Sequence, residues 1–273
     1  MLRFARPLAL VAALVCWSAA TVQAASDFIV LQSTTSTENS GLFDAILPAF
    51  TAQSGITVRV VAVGTGQAIR NARNGDGDVL LVHSRADEEA FVASGFGVAR
   101  FDVMYNDFVL VGPADDPARL RQSDDAAAAM AAIFQSEATF VSRGDDSGTH
   151  KAEMRLWRAV DLAPEDASGT WYREVGAGMG ATLNAAVAMG AYTLTDRATW
   201  LAFRNKQSHR IVLQGDAALF NQYGVIRVNE ARHPHVKAKA AQQFVDWLIS
   251  QDGQAAIAAF RIDAEQVFFP NAR

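Results

Sequence analysis

Short apolar runs alternate with amphipathic segments along the first part of the chain. Residues 28–31, 58–63 and 78–82 are apolar runs of strand length, and helical periodicity follows them. In the first helical segment, residues 42–50, the apolar side chains share one face, and Pro48 within it predicts a late kink or an early end. This alternation predicts an α/β fold with a parallel sheet.

Two longer β-like stretches, residues 101–112 and 219–228, separate the chain into a first part, a middle part and a C-terminal part. Each is interpreted as a strand that crosses from one lobe to the other. Strand and helix signals alternate again between them, and one strand at 191–194 is followed by Thr195, a suitable helix N-cap. Residues 236–260 form a strong amphipathic helical pattern. Two crossings of this kind predict two α/β lobes that are joined by paired hinge strands, with a ligand held between them.

The first 24 residues differ from the rest of the chain. Arg3 and Arg6 precede an apolar stretch that is too short to span a membrane. Val22 and Ala24 then supply the small residues that a signal-peptide cleavage site has at its −3 and −1 positions. This pattern predicts a secretory signal peptide over residues 1–24 rather than a membrane anchor, with cleavage after Ala24. The only cysteine, Cys16, lies inside it, so the mature chain is predicted to have no disulfide, zinc–cysteine site or cysteine nucleophile.

The net negative charge of the mature chain bears on which classes of partner it can bind. Without Arg3 and Arg6 the chain has 22 basic and 29 acidic residues, a net charge of −7. An acidic surface argues against a nucleic-acid partner. It does not argue against an anionic ligand, because charges beyond a Debye length of about 8 Å are largely screened.

Three loops share one design, an apolar strand followed by Gly, Ser and Thr residues and then by a helix. They are residues 33–41, 64–67 and 142–149. Such loops lie at the carboxyl ends of strands, where α/β folds place ligands, and helix N-termini favour anions. Each loop alone is also explained by turn chemistry and helix capping.

Two arginines are candidate cations for an anion. Arg143 follows a strand directly, and Arg197 follows the strand at 191–194. A guanidinium is always charged and donates paired hydrogen bonds to adjacent oxygens. The alternative is a structural ion pair, with Asp145 or Asp146 for Arg143 and with Asp196 for Arg197.

Other motifs suggest other chemistry less strongly. Residues 144–148 resemble the segment around a serine-protease nucleophile, which would make Ser147 a hydrolase nucleophile, but they contain an extra Asp and no matching histidine segment is evident. The glycines at 176–180 do not have dinucleotide-binding spacing and indicate a tight helix entry. His83 ends a strand, has no metal-ligand spacing and is interpreted as a solvated or core histidine.

Six segments in order resemble one known family. They are S-T-T-S-T-E-N-S-G-L-F-D-A-I-L-P-A-F, V-G-T-G-Q-A-I, D-V-L-L-V-H-S-R-A-D-E, Y-N-D-F-V-L-V-G-P, S-R-G-D-D-S-G-T-H-K-A-E and Y-T-L-T-D-R-A-T-W. Together they closely resemble the periplasmic tungstate-binding components of TupA-type ABC transporters over essentially the whole mature chain. Ser33 replaces the first Thr of the usual T-T-T-S, which keeps the hydroxyl and loses a methyl group.

The resemblance implies a two-lobed type II periplasmic-binding-protein fold with two hinge crossings and the ligand in the interlobe cleft. Lobe I would comprise residues 25–111 plus 221–273, and lobe II residues 112–220. The family pattern assigns ligand binding to Ser33, Thr34, Thr35, Ser36 and Thr65 in the first lobe, to Arg143, Ser147, Gly148 and Thr149 in the second, and, as a weaker assignment, to Arg197.

The chemistry of tungstate suits these residues. Tungstate is a tetrahedral dianion at neutral pH that only accepts hydrogen bonds, and hydroxyls, amides and an arginine supply donors. Phosphate retains a proton and requires an acceptor, so we expect Asp145 and Asp146 to point away or to pair with arginine. The resemblance implies a periplasmic monomer without cofactor or enzymatic activity that delivers tungstate, with molybdate as a further ligand, to a membrane permease. A phosphate- or sulfate-type binder is the alternative, followed by the secreted hydrolase.

Overall fold

The computed structural model of the chain describes residues 28–272, so the predicted signal peptide lies outside the described residues. The described part contains a mixed set of strands and helices. The strands are β1 (Phe28–Thr34), β2 (Thr57–Val63), β3 (Val79–Val82), β4 (Gly97–Gly112), β5 (Phe140–Ser142), β6 (Tyr172–Glu174), β7 (Thr193–Asp196), β8 (Arg210–Leu213), β9 (Phe220–Val228), β10 (Arg261–Ile262), β11 (Glu265–Gln266) and β12 (Phe269–Pro270).

The helices alternate with the strands through most of the chain. They are α1 (Thr35–Asn39), α2 (Leu42–Ser54), α3 (Thr65–Asn74), α4 (Arg85–Ala93), α5 (Ala126–Ser136), α6 (Gly148–Ala159), α7 (Met179–Met189), α8 (Arg197–Ala202), α9 (Ala238–Ile249) and α10 (Gln251–Ala259). Short 3₁₀ turns occur at Leu120–Gln122, Pro164–Ala167 and Ala217–Leu219. The α/β class predicted from the alternating pattern is confirmed.

The main sheet has the order β12-β4-β9-β3-β1-β2. Strand β1 is parallel to both β2 and β3, whereas β9 runs antiparallel to β3 and to β4. The far end of β4, from Phe108 to Gly112, pairs instead with β7 and β8. A second, small parallel pair joins β5 and β6. The long strands β4 and β9 are therefore the paired crossings that the sequence pattern predicts.

Apolar side chains form two main cores along β4. One lies beside its first half and packs β1 and β3 against α2 and α9, with Phe50 and Phe244 in edge contact at 5.0 Å. The other packs the second half of β4 against α5, α6 and β5 around Trp157. We call the elements around β1–β3 the first lobe and those around α5–α7 the second lobe. The predicted lobe limits, at 111/112 and 220/221, stay a prediction.

Three local details differ from the sequence-based expectations. Helix α2 continues to Ser54, well beyond Pro48, because Pro48 lies on the exposed face, where water can satisfy the carbonyl that it leaves unbonded. The helical pattern at 236–260 forms two helices, because the hydroxyl of Ser250 caps a new helix at the amide of Gly253. The cap of α8 is Asp196 rather than Thr195, because its carboxylate accepts from the amide of Thr199 at 2.9 Å.

Candidate functional site

The hydroxyl loop lies at the carboxyl end of β1 and forms the start of α1. Thr34 is the N-cap of α1, and its Oγ1 lies 2.7 Å from the Thr37 hydroxyl and 3.1 Å from the Ser36 hydroxyl. The Oγ1 atom of Thr35 is buried and has no hydrogen-bond partner. Of the four predicted residues here, Thr34 and Ser36 therefore form one small cluster of hydroxyls with Thr37, whereas Thr35 has a buried donor that is unsatisfied.

Ser33 does not contribute a free hydroxyl to that cluster. Its Oγ donates to the carbonyl oxygen of Leu81 on β3 at 2.7 Å, and the residue is fully buried. A serine hydroxyl has a single proton, so this bond uses the only donor that Ser33 could offer to an anion. In this structure Ser33 joins β1 to β3, and its assignment as a ligand is not supported by its contacts.

The loop from Ser142 to Thr149 supplies the second lobe's residues. Arg143 is 3% exposed, and its Nη2 lies 2.5 Å from Asp145 Oδ2, whereas its Nε is buried and has no partner. Ser147 is the N-cap of α6 and accepts from the amide of His150 at 3.2 Å. The Oγ1 of Thr149, the second residue of the same helix, is again buried without a partner. This loop thus presents one guanidinium N–H, at Arg143 Nε, and one hydroxyl, on Thr149, that both lack a hydrogen-bond acceptor.

The two lobes meet at these loops. The amide of Gly148 donates to Thr65 Oγ1 at 2.9 Å, which joins the start of α6 to the start of α3. A Cβ built on Gly148 would lie 2.7 Å from His83 Nδ1, and one built on Gly178, the cap of α7, would lie 3.9 Å from Thr35 Oγ1. The N-termini of α1 and α3 therefore face those of α6 and α7 across a closed cleft, and helix N-termini favour anions.

The unsatisfied donors of the cleft come from both lobes. Six buried side-chain polar atoms in residues 28–272 have no hydrogen-bond partner, and three of them belong to Thr35, Arg143 and Thr149. Leaving a buried donor unpaired costs about 1–3 kcal/mol, so such groups call for an explanation. All three atoms can donate a hydrogen bond, and together they fit a ligand that only accepts.

The acidic residues of the 142–149 loop are engaged elsewhere, as the sequence predicts. Asp145 pairs with Arg143 and also accepts from the amide of Ser147 at 3.2 Å. Asp146 lies 3.4 Å from Lys151 Nζ and 3.7 Å from Arg70 Nη1. Neither carboxylate is left as a free acceptor for a protonated oxyanion, which confirms the expected pairing.

Arg197 is held away from the other candidate residues. Its Nε and Nη2 donate to the two carboxylate oxygens of Asp107 on β4 at 2.8 and 2.6 Å, and this pairing raises the pKa of Arg197. It borders a separate cavity that Tyr105 and Phe269 also line. The structural alternative therefore accounts for its contacts, although the partner is Asp107 rather than Asp196, which caps α8.

His83 is buried, as the core alternative of the sequence interpretation expected, but it lies at the cleft, which that interpretation did not foresee. It is buried where β3 ends; its Nδ1 lies 3.1 Å from Asn221 Oδ1 and its Nε2 lies 3.4 Å from Ser36 Oγ. Because Asn221 uses its amide group to donate to Asn106, its oxygen must accept, which places the His83 proton on Nδ1. Burial, together with the positive charge of Arg143, lowers the pKa of His83 to about 4. Its position at the carboxyl end of a central strand was the signal that could have identified it.

Among residues 28–272, no group of three or more His, Cys, Asp or Glu side chains is arranged to hold a metal ion. Not one helix of the described chain combines the length and the apolar character that a membrane crossing requires.

Comparisons with known proteins show the family of the chain. A family model described as a PBP superfamily domain matches residues 19–252. The tungstate-binding protein TupA of Peptoclostridium acidaminophilum is 47% identical over 89% of this chain and 86% of that protein. The chain belongs to the PBP superfamily and, within it, to the TupA family.

Other relatives and solved structures support the same membership. A putative ABC transporter anion-binding protein of Haloferax volcanii is 48% identical over 89% of this chain and 72% of its own length. The structure of the tungstate-binding protein TupA from Desulfovibrio alaskensis covers 90% of this chain and all of its own, with 44% identity and a TM-score of 0.78. That of the tungstate ABC transporter from Geobacter sulfurreducens covers 86% of this chain and all of its own, with 44% identity and a TM-score of 0.79.

Proposed function

We propose that this protein binds tungstate in the cleft between its lobes and delivers it to the permease of an ABC transporter. The observation that carries this proposal is the set of unpaired donors on Thr35, Arg143 and Thr149, which come from both lobes and lie on loops that meet across the cleft. A dianion that touches both lobes would stabilise the closed arrangement, because its contacts are complete only there.

The donor set favours a fully deprotonated oxyanion over phosphate. Hydrogen phosphate carries one O–H group at neutral pH, and this group requires an acceptor in the site. Asp145 and Asp146 are both paired with cations. Tungstate has no proton to place, and the buried guanidinium of Arg143 offsets part of its double charge. Molybdate has the same shape and charge, so it is the relevant competitor.

The contacts of Ser147 do not support the hydrolase alternative. A serine nucleophile requires a base within hydrogen-bond reach of its Oγ. The recorded bond of Ser147 Oγ within residues 28–272 is with the backbone amide of His150, as expected of a helix cap, and His150 Nδ1 accepts from the amide of Asp146. We therefore propose a binding protein without enzymatic activity.

The proposal includes the protein's setting. The sequence pattern of residues 1–24 and the family's transport role support export through a signal peptide and action in the periplasm, where we propose that the protein acts as a monomer. No cofactor is needed, because binding and hinge closure require only the groups described above.

Thermal unfolding with millimolar tungstate, molybdate, phosphate or sulfate tests the proposal. A ligand at about 1,000 times its Kd stabilises the folded state by about 4 kcal/mol. For a chain of this length that is a shift of roughly 8–16 °C in Tm. We expect such a shift with tungstate and none with phosphate, whereas a comparable shift with sulfate, which is also fully deprotonated, would favour the sulfate-type alternative.

Two arginine variants give the control. Arg143→Ala should abolish the tungstate shift because it removes the buried cation of the cleft. Arg197→Ala should retain the shift, although it lowers the Tm of the free protein, because Arg197 is bound to Asp107. A tungstate shift of full size in Arg143→Ala, or a comparable shift with phosphate, would contradict the proposal.

A further inference from the structure

A buried carboxylate lies inside the second lobe behind the loop from Ser142 to Thr149. Glu153 is on α6, three residues after His150, and is 2% exposed. Its Oε1 accepts from Tyr172 Oη at 2.7 Å and from Trp157 Nε1 at 3.2 Å, and its Oε2 accepts from Ser142 Oγ at 2.8 Å. Glu153 closes the S-R-G-D-D-S-G-T-H-K-A-E motif, yet its contacts lie in the lobe interior and not in the cleft.

One of those three bonds leads to the cation of the cleft. Because Ser142 gives its only proton to Glu153, its oxygen can accept, and it accepts from the amide of Gly144 at 3.2 Å. Ser142 and Gly144 are the two neighbours of Arg143, and Gly144 has a left-handed conformation, with φ of +58°. The carboxylate is thus connected by two successive hydrogen bonds to both ends of the turn that carries Arg143.

The charge on Glu153 is not neutralised by a nearby cation. No lysine or arginine within residues 28–272 forms an ion pair with it, and burial raises its pKa to about 7 against the effect of its three donors. An ionised acceptor makes shorter and stronger hydrogen bonds than a neutral one. Retaining a buried, unpaired carboxylate is unfavourable for stability, which points to a role beyond packing.

We propose that Glu153 is a positioning residue for the anion site: its carboxylate fixes Ser142, and through Ser142 the turn that aims Arg143 into the cleft. This inference rests on the proposed tungstate binding. The backbone of the same turn is also held from the other side, since the amide of Gly176 donates to the carbonyl of Arg143 at 2.8 Å. Loss of Glu153 should therefore loosen the side-chain direction of Arg143 without unfolding the loop.

The test compares tungstate affinity in three single variants by calorimetry at about pH 8, where Glu153 is ionised. Glu153→Gln keeps the size but replaces one acceptor oxygen with a donor, and Ser142→Ala removes the link to Gly144. Both should weaken tungstate binding about tenfold, the lower end of what loss of a supporting residue behind a ligand costs in metal sites. Tyr172→Phe removes another donor to the same carboxylate but leaves the bond from the Gly144 amide to Ser142 Oγ in place, so it should lower the Tm yet leave the Kd within about twofold of wild type.

A double-variant cycle and a pH series separate positioning from a general structural effect. If Glu153 acts through Ser142, Glu153→Gln should add little to Ser142→Ala. The wild-type affinity should also fall from about pH 8 to about pH 6.5 as Glu153 takes up a proton, and that fall should be reduced in Glu153→Gln. The other titratable groups on elements that pack against α6 are Tyr172 and Glu174 on β6 and Asp196 at the end of β7, and α5 contributes none. These groups are the same in the variant and the wild type. The difference between their two pH profiles therefore measures the protonation of Glu153.

The outcomes distinguish this inference from the proposed function. Absence of tungstate binding by the wild type would refute the function itself. Normal or tighter binding by Glu153→Gln, or equal losses in Ser142→Ala and Tyr172→Phe, would overturn the positioning role. If Glu153→Gln does not fold, the comparison of Ser142→Ala with Tyr172→Phe decides the question alone.

Discussion

Gly148 is the place where a single methyl group should prevent closure of the cleft. It is the first residue of α6, and a Cβ there would lie 2.7 Å from His83 Nδ1 and 2.9 Å from Thr65 Oγ1. Both of those residues belong to the first lobe. Real Cβ atoms essentially never approach other atoms to less than 3.0 Å, so in Gly148→Ala the lobes must separate or the buried ring of His83 must move.

The magnitude follows from the cost of overpacking. Inserting a methyl group into a well-packed contact costs typically about 1–3 kcal/mol. Because the contact exists only when the lobes are closed, the whole cost should appear in ligand affinity, as a weakening of roughly 5- to 150-fold. The fold of the second lobe should not suffer, since alanine is a better helix former than glycine by up to about 1 kcal/mol.

The assay is tungstate calorimetry together with thermal unfolding of the free protein. Gly180→Ala is the matched control: Gly180 is also in the first turn of a second-lobe helix, α7, and its added Cβ would meet nothing within 4 Å. We expect normal affinity in Gly180→Ala, reduced affinity in Gly148→Ala, and an unchanged or higher Tm of both free proteins. Wild-type affinity in Gly148→Ala would refute the view that the ligand-bound state closes against this glycine.

Three further predictions concern the same cleft. Thr149→Val should weaken tungstate binding by about 1–2 kcal/mol without destabilising the free protein, because it removes a buried hydroxyl that has no partner there; unfolding and calorimetry of this variant check both parts. Lys151→Met should speed tungstate release a few-fold at low salt and less at high salt in stopped-flow measurements. The reason is that Lys151 Nζ on the second lobe forms an ion pair with Asp87 on the first lobe at 2.7 Å. An equal effect at both salt concentrations would contradict this ion-pair role. His83 should make the free energy of unfolding fall as the pH is lowered from about 6.5 to about 4, because the unfolded chain takes up a proton that the buried ring does not bind. Unfolding measured across this range should show a shallower dependence of the free energy on pH in His83→Gln than in the wild type.

The sequence alone determined the class of fold and most of the elements around the cleft. The apolar runs of β1, β2 and β3 and their alternation with helices are local signals, because consecutive apolar residues indicate a buried strand. The hydroxyl-rich loop and the segment with Arg143 were identifiable for the same reason, since each is contiguous. The two long crossings, β4 and β9, also follow from local β patterns.

Only the tertiary structure decided which of the candidate groups are free to donate. Ser33 and Thr35 are nearly equivalent in sequence, yet Ser33 is bonded to Leu81 of a neighbouring strand and Thr35 is not. Arg143 and Arg197 both follow strands, but a bidentate bond to Asp107, 90 residues earlier in the chain, holds Arg197. Hydrogen-bond partners of this kind are set by packing between distant segments, and local composition does not encode them.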